Sequence, residues 1–444
     1  MAGIAAAYHL VVKRGHSNVV IVEEMSPLSL TSDKSTEAYR NWWPGPDRAM
    51  TAFMNRSIDL MEEIARATHN RINMNRRGYL LATAEASKLN WLCDLALAAE
   101  AHGSGPVRMH DTAYSPYAPS PQAGFDAVLT GADIITNRSL IRHHFPYLTH
   151  STRAVVHARR AGWMSAQQLG MVMLEAARSQ GARLIKAKVV GFDTRAGRVR
   201  SVQVEEQGQR LALEATHVVL AAGPMLQPVA RLIGVELPLV AERHLKISLP
   251  DPLGAVPRTA PMSIWLDEQF LPWSEEERTA LADDQDASWL LQKFPSGVHG
   301  RPEGGGASTT LLVLFNYNNE PTDVVFPLPE APNYAEIALR GMSTMVPALR
   351  AYVERGTRPH LDGGYYIKTR ENRPLIGPLP LEGAYVSGAY SGFGVMAACA
   401  GGELLAHHVL EGPLPDYAPA FLLSRYRDAQ YCGLLEAWGD GGQL

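Results

Sequence analysis

The chain opens on a helix made of small residues. Ala5, Ala6 and Ala7 follow Gly3, and the run closes at Lys13-Arg14-Gly15, a basic last turn with a glycine cap. The apolar stretch Asn18-Val-Val-Ile-Val then ends in a carboxylate, Glu23. Small residues let a helix lie close on a sheet. A strand ending in an acid after such a helix matches the second half of a dinucleotide-binding unit. There, about 20 residues separate the last glycine of G-x-G-x-x-G from the acid that binds a ribose hydroxyl. Gly3 and Glu23 have that spacing. With Gly3 as the third glycine, the first strand and the other two glycines are expected immediately before Met1 and so are lacking here.

The remaining bounds are compatible with this. A chain of 444 residues is long enough for two domains or one large composite. A formal charge of -4 without basic runs gives no reason to expect nucleic acid or an anionic membrane as partner. Cys93, Cys399 and Cys432 are far apart, neither a metal framework nor a disulfide scaffold, and suit a reducing cytoplasm. Thr216 to Val235 is apolar, but Gly223-Pro224, Pro228 and Arg231 interrupt it, so it reads as a strand and helix of a soluble fold. His143-His144 and His407-His408 lack a third ligand, and no metal is expected.

Periodicity predicts helices over 48–68, 88–102, 165–180 and 395–410. Strands are predicted at 77–82, 183–223 (a short set), 245–249, 288–294, 309–315, 365–369 and 384–388. Residues 104–124 read as loop, 274–286 as a charged loop and Gly304 to Gly306 as a glycine turn. The expected fold is mixed α/β: a Rossmann-like dinucleotide-binding domain interleaved with an antiparallel-sheet substrate domain. The first takes 1–75, 150–225 and 361–444; the second takes 76–149 and 226–360.

Three segments carry chemistry. Thr31-Ser-Asp-Lys-Ser-Thr-Glu-Ala-Tyr-Arg40 follows the ribose acid, with hydroxyls and amides for a pyrophosphate and an arginine for an electron-rich ring or a carboxylate. Val218-Val-Leu-Ala-Ala-Gly223 runs a strand into a glycine turn, where backbone can approach a ligand. Glu371-Asn-Arg-Pro-Leu-Ile-Gly377 precedes Ser391-Gly-Phe-Gly394 and a helix of small residues, whose free amides can face an anionic or polarised ring.

In this order the segments resemble the FAD-dependent oxidoreductases of the D-amino-acid oxidase superfamily, in the glycine/sarcosine oxidase and D-amino-acid dehydrogenase branch. The resemblance runs from Gly3 to about Tyr426 and includes Arg301-Pro-Glu-Gly-Gly305. It implies non-covalent FAD, with Gly3, Glu23, Ser32, Ser35, Thr36, Arg40, Val189 and Gly223 along the cofactor. It also implies that Gly392, Phe393, Gly394, Val395 and Met396 place amides near the flavin pyrimidine, stabilising charge on the reduced ring.

The departures concern the substrate. Where many relatives read Gly-His-Gly-Phe-Lys, with a lysine gripping a carboxylate, this chain has Gly392-Phe-Gly-Val-Met396. A second carboxylate-binding arginine is replaced by Trp43, which argues against sarcosine itself. A flavin-tethering cysteine would fall near Gly364, and an oxygen-activating lysine near Val313. Arg40, Tyr366 and Lys368 are the catalytic candidates; Trp43, His244, Arg301 and Tyr390 are the pocket candidates. Two readings stay open for Trp42 and Trp43, an aromatic wall for a cationic amine or plain packing.

The expected reaction is oxidation of the carbon–nitrogen bond of a secondary amine or amino acid. Hydride passes to flavin, the imine is hydrolysed, and oxygen or a redox carrier takes the electrons. No His/Asp dyad is evident, consistent with chemistry that needs little acid–base help. The alternatives are a non-catalytic FAD-binding or assembly protein of the same fold, or an inactive, N-terminally truncated form.

Overall fold

The computed structural model describes residues 1–126, 129–305 and 307–437. Gly306, in the expected glycine turn, and the last seven positions of the expected 361–444 segment lie outside the described residues.

Three helices meet because their contact faces are small or regularly apolar. In Ala49–Ala67, the residues Met50, Phe53, Met54, Ile58, Met61 and Ile64 recur at helical spacing and are buried. Each of the larger ones contributes about 1.5–3 kcal/mol by leaving water. This helix packs against Gly394–Val409, and the Ser57 hydroxyl donates to the Met396 carbonyl at 2.5 Å. Ala2–Tyr8 crosses the same helix at Gly402, where a β-carbon would come within 2.6 Å of the Ala5 backbone.

Two short parallel pairs flank Ala2–Tyr8. Val20–Glu23 pairs with Arg183–Lys186, and Val218–Leu220 pairs with Ala384–Gly388. The helix touches strands of both pairs, which share no ladder among the described residues. Lys188–Arg195, Arg198–Glu206 and Gln209–Glu214 form a separate antiparallel sheet.

The largest sheet has nine strands. Its order is His360–Lys368, Val240–Pro250, Thr310–Leu314, His299–Pro302, Met262–Trp265, Tyr79–Thr83, Ala154–Ala158, Ala132–Ile135, Val107–His110. Most neighbours are antiparallel. Alternation along Val240–Pro250 separates the two faces. Leu245, Ile247 and Leu249 join Ile337 and Met342 of the helix Tyr334–Met345 in an apolar cluster. Glu242, His244 and Lys246 alternate with them, and the Lys246 amine reaches the Asp33 and Ser35 carbonyls at 3.4 and 3.2 Å. The polar face therefore looks toward the loop that follows Glu23.

The mixed α/β expectation holds, with corrections in detail. Ala154–Ala158 and His360–Lys368 lie in the large sheet, although they fall in segments expected for the dinucleotide-binding domain. Ala154–Ala158 is buried throughout and shows no alternation to mark its partner. The expected 104–124 loop contains the strand Val107–His110. The charged 274–286 segment is a helix, Glu275–Asp283, started by a capping box between Ser274 and Glu277. Ser288–Leu291 is a 3-10 turn with only Lys293–Phe294 extended, and Tyr334–Met345 was not anticipated.

Candidate active site

The loop after Glu23 is tied to the large sheet from several sides. The Glu23 carboxylate accepts the Met25 amide at 3.0 Å, and the Thr31 hydroxyl donates to the Tyr365 carbonyl at 2.9 Å. Lys34 bridges Asp33 and Asp362 at 2.8 and 3.1 Å. The Ser35 hydroxyl accepts the Glu37 amide, and Ser32 lies in the same partly buried loop. The Thr36 carbonyl accepts Arg301 at 2.8 Å. A β-carbon at Gly3 would touch Ala221, so the first helix rests on the turn at Gly223, whose positive φ (+53°) suits glycine. Val189 packs with Val22 and Ile185 behind the Glu23 strand.

Arg40 ends the strand Ala38–Arg40, held by Ala161–Trp163. It is only 6% exposed, and no described carboxylate pairs with it. Its guanidinium lies 4.4 Å from the Trp43 ring centre and 5.5 Å from that of Tyr79, and its Nε has no hydrogen-bond partner. Burial lowers its pKa, opposed by the Tyr79 hydroxyl. Trp43 also donates to the Arg40 carbonyl and meets Phe393 edge-on at 5.2 Å.

Phe393 belongs to the turn Ser391–Phe393, which leads into the helix Gly394–Val409. No side chain caps that helix, so its first amides lack side-chain acceptors. Ala389 and Ser391 both have positive φ, and the buried Ser391 hydroxyl has no partner. Strained non-glycine backbone of this kind concentrates where a ligand is gripped. Val395 and Met396 are buried in the helix core, and Met396 offers no polar group to a substrate.

Across from the loop after Glu23, Tyr366 stacks on His244 with ring centres 3.8 Å apart and planes 17° apart. His244 Nε2 lies 3.2 Å from one Glu242 oxygen, and the Lys368 amine lies 2.5 Å from the other. Burial alone would raise the Glu242 carboxyl; the hydrogen bonds from His244 and Lys368 outweigh it and hold it below the ordinary carboxylate range. Burial pushes the Tyr366 phenol up to about 12. No His/Asp dyad is evident in the sequence, yet the structure brings a glutamate and a histidine together here. Glu242 and His244 sit at i and i+2 on one strand, a spacing that puts both side chains on one face. That spacing was legible; the strand's start was placed too late, at 245, to reveal it.

Arg301 is 1% exposed and committed to the Thr36 carbonyl, Glu37, Glu303 and the Trp163 ring, which makes it a strut between sheet and loop. Tyr390 turns inward: its hydroxyl meets Ser387 at 2.8 Å and lies beside Gly401. Val313 is fully buried in the apolar cluster under Tyr334–Met345. A separate cleft of about 640 Å³, lined by Asp47, Arg373, Tyr417 and Tyr431 among others, contains none of the expected site residues.

These residues fit a flavin. A buried guanidinium without an acidic partner, an orphaned serine hydroxyl and an uncapped helix start all favour negative charge between them, as a reduced isoalloxazine carries. Gly364 would bring a β-carbon within 3.4 Å of Thr31 and offers no group for a covalent tether.

Comparison with known proteins follows the same lines. The fold resembles L-proline dehydrogenase from P. horikoshii, with 17% identity, a TM-score of 0.72, and 96% of this chain and 95% of that chain covered. It also resembles glycine oxidase from Geobacillus kaustophilus, at 17% identity, TM-score 0.70, and 96% of each chain. Iminodiacetate oxidase from Chelativorans sp. BNC1 gives 15% identity, TM-score 0.67, and 95% of this chain and 96% of that one. No curated protein sequence matches. No helix among the described residues is long and apolar enough to cross a membrane. The family model for FAD dependent oxidoreductases (DAO) matches residues 1–408, and the chain belongs to that family.

Proposed function

We propose that the protein oxidises the carbon–nitrogen bond of a secondary amine or amino acid, the resulting imine being released to water. The observation that carries this reading is Arg40: a buried cation, paired with no described carboxylate and framed by Trp43 and Tyr79. Bound FAD supplies the hydride acceptor. Arg40 and the amides of Gly394–Val409 balance the charge that arrives there, while Glu23 and the Thr31–Thr36 loop hold the nucleotide end.

On the substrate side, Trp43 and Tyr366 offer rings to an amine, and Lys368 neutralises Glu242. Trp43 and Met396 occupy the positions where relatives are expected to grip a carboxylate. The preferred substrate is therefore an amine or an N-substituted amino acid whose carboxylate is not held there. Burial of Val313 away from the polar face favours a redox carrier over oxygen as final acceptor. The neighbours' printed activities on proline, glycine and iminodiacetate support the amine class.

The test is anaerobic. The FAD-loaded protein is mixed with a panel of secondary amines and amino acids while visible flavin absorbance is followed. Bleaching by at least one secondary amine is expected, and Arg40→Met slows it by a factor on the order of 10²–10³. Bleaching by none contradicts the reading.

A further inference from the structure

We propose that His244 takes the proton from the substrate's ammonium group, with Glu242 holding its ring in the accepting tautomer. The proposal rests on the amine-oxidation reading above. It adds a proton acceptor and a positioning residue to that site.

The geometry fixes the direction of transfer. Glu242 accepts from Nε2 across 3.2 Å, so the ring's own proton sits on Nε2. Nδ1 is then left with a bare lone pair. It is enclosed, within a side chain only 6% exposed, and no group of the protein donates to it. Such an acceptor costs stability unless a ligand satisfies it. The ring lies on the polar face of Val240–Pro250, with Glu242 and Lys246, turned toward the cofactor loop. Tyr366 covers one side of the ring and keeps it from rotating. Lys368 fixes the second Glu242 oxygen, which holds the carboxylate still.

The groups facing His244 set the charge balance. On its own strand these are Glu242 and Lys246; on the neighbouring strand, Tyr366 and Lys368. From His299–Pro302 comes His299, kept neutral with a pKa of about 4 chiefly by burial. Its Nδ1 is spent on the Gly297 carbonyl at 2.8 Å. Glu242 and Lys368 cancel, and the Lys246 amine is turned away onto the Asp33 and Ser35 carbonyls, so a proton arriving at His244 adds one charge beside a balanced pair. In the step, one N–H bond of the ammonium breaks and nitrogen keeps the electron pair. The proton joins Nδ1 and Nε2 keeps its own. The neutral amine can then release hydride from the adjacent carbon.

The experiment uses the FAD-loaded protein, a secondary amine that reduces it, and the pH dependence of anaerobic flavin reduction. His244→Asn is expected to lower the limiting rate at neutral pH by a factor on the order of 10²–10⁴. It should also move the alkaline-rising limb toward the ionisation of the free amine, so that high pH restores the rate. Glu242→Gln should give a smaller loss in the same sense, and Glu242→Asp a partial recovery. Nitrogen-15 NMR of the histidine rings provides a readout independent of turnover. His244 in the unmutated protein should be protonated at Nε2 and bare at Nδ1, a preference weakened in Glu242→Gln. A His244→Asn protein with the original rate and pH profile, or a ring protonated at Nδ1, overturns the proposal. If no amine reduces the unmutated protein, the functional reading fails and this step with it; normal turnover with an unmoved profile sinks this step alone.

Discussion

The nine-stranded sheet carries a buried carboxylate–histidine pair near each edge, and the two are built for different ends. Near one edge, Asp133 meets Arg108 at 2.7 Å, His110 at 2.8 Å and Arg159, all within a well-covered cluster. Near the other, Glu242 meets only Lys368 and His244 among the described residues. Two guanidiniums already outweigh the Asp133 charge, so a proton on His110 would add to a positive cluster. Glu242 is matched by Lys368, and Lys246 on the same face is spent on the Asp33 and Ser35 carbonyls. His110 Nδ1 is also unpartnered, so an orphaned nitrogen alone does not mark a site. What separates the pairs is the direct partners of the acid, two guanidiniums against one amine, and location: His244 faces the loop after Glu23 and stacks under Tyr366, whereas His110 lies on the last strand beside Tyr117.

The sharpest way to break this comparison is to neutralise each acid. Asp133→Asn leaves the Arg159 guanidinium buried without its anion and should cost about 3–5 kcal/mol, read as a large fall in denaturation midpoint. Glu242→Gln should cost less than about 1 kcal/mol, because Lys368 is 24% exposed and turns to water, yet it should slow flavin reduction. Equal losses of stability from the two variants would erase the distinction.

Acid sharpens it next. His157, beside the Asp133 cluster, is held down to about 3 by burial and then by Arg159; His299, near His244, is held at about 4. Both are lowered, so the unfolded chain binds their protons first, beginning near the ordinary value of about 6.5. Stability must therefore fall as pH drops below that value, by about 1.4 kcal/mol per pH unit for each histidine. The Asp133 and Glu242 carboxyls, both depressed, add a further loss only once pH falls through their ordinary range of about 4. Thermal melts across this window should show the slope, and His157→Gln should remove roughly one histidine's share. A flat profile contradicts neutral burial of these rings.

The smallest effect concerns a cap near Asp133. Asn137 accepts the Ser139 and Leu140 amides at 3.0 and 3.2 Å and starts Arg138–His144. Asn137→Ala should cost about 1 kcal/mol in chemical denaturation and leave flavin reduction untouched.

What was readable in the chain followed from spacing along single elements. Gly3, Glu23, Gly223 and Ser391-Gly-Phe-Gly394 mark helix starts and strand ends, and the structure places each at such a position. What was not readable depended on which strands lie side by side. Tyr366 and His244 are 122 positions apart and meet only because their strands pair. Arg301 looks like a ligand in sequence, but Glu303, two positions on, and Glu37 with the Thr36 carbonyl, from a distant stretch, already hold it. Tyr390 could not be told from a pocket residue without Gly401, whose missing side chain admits its ring. The helix Glu275–Asp283 differs: its capping box stands in the sequence, but its density of charge resembles that of a loop.

The most direct measurement remains anaerobic reduction of the bound flavin by secondary amines, in the unmutated protein and in His244→Asn across pH. Bleaching by at least one amine is expected, with a rate in the variant that collapses near neutrality and recovers in alkali. Flavin that no amine bleaches, or a variant that follows the unmutated pH profile, would contradict it.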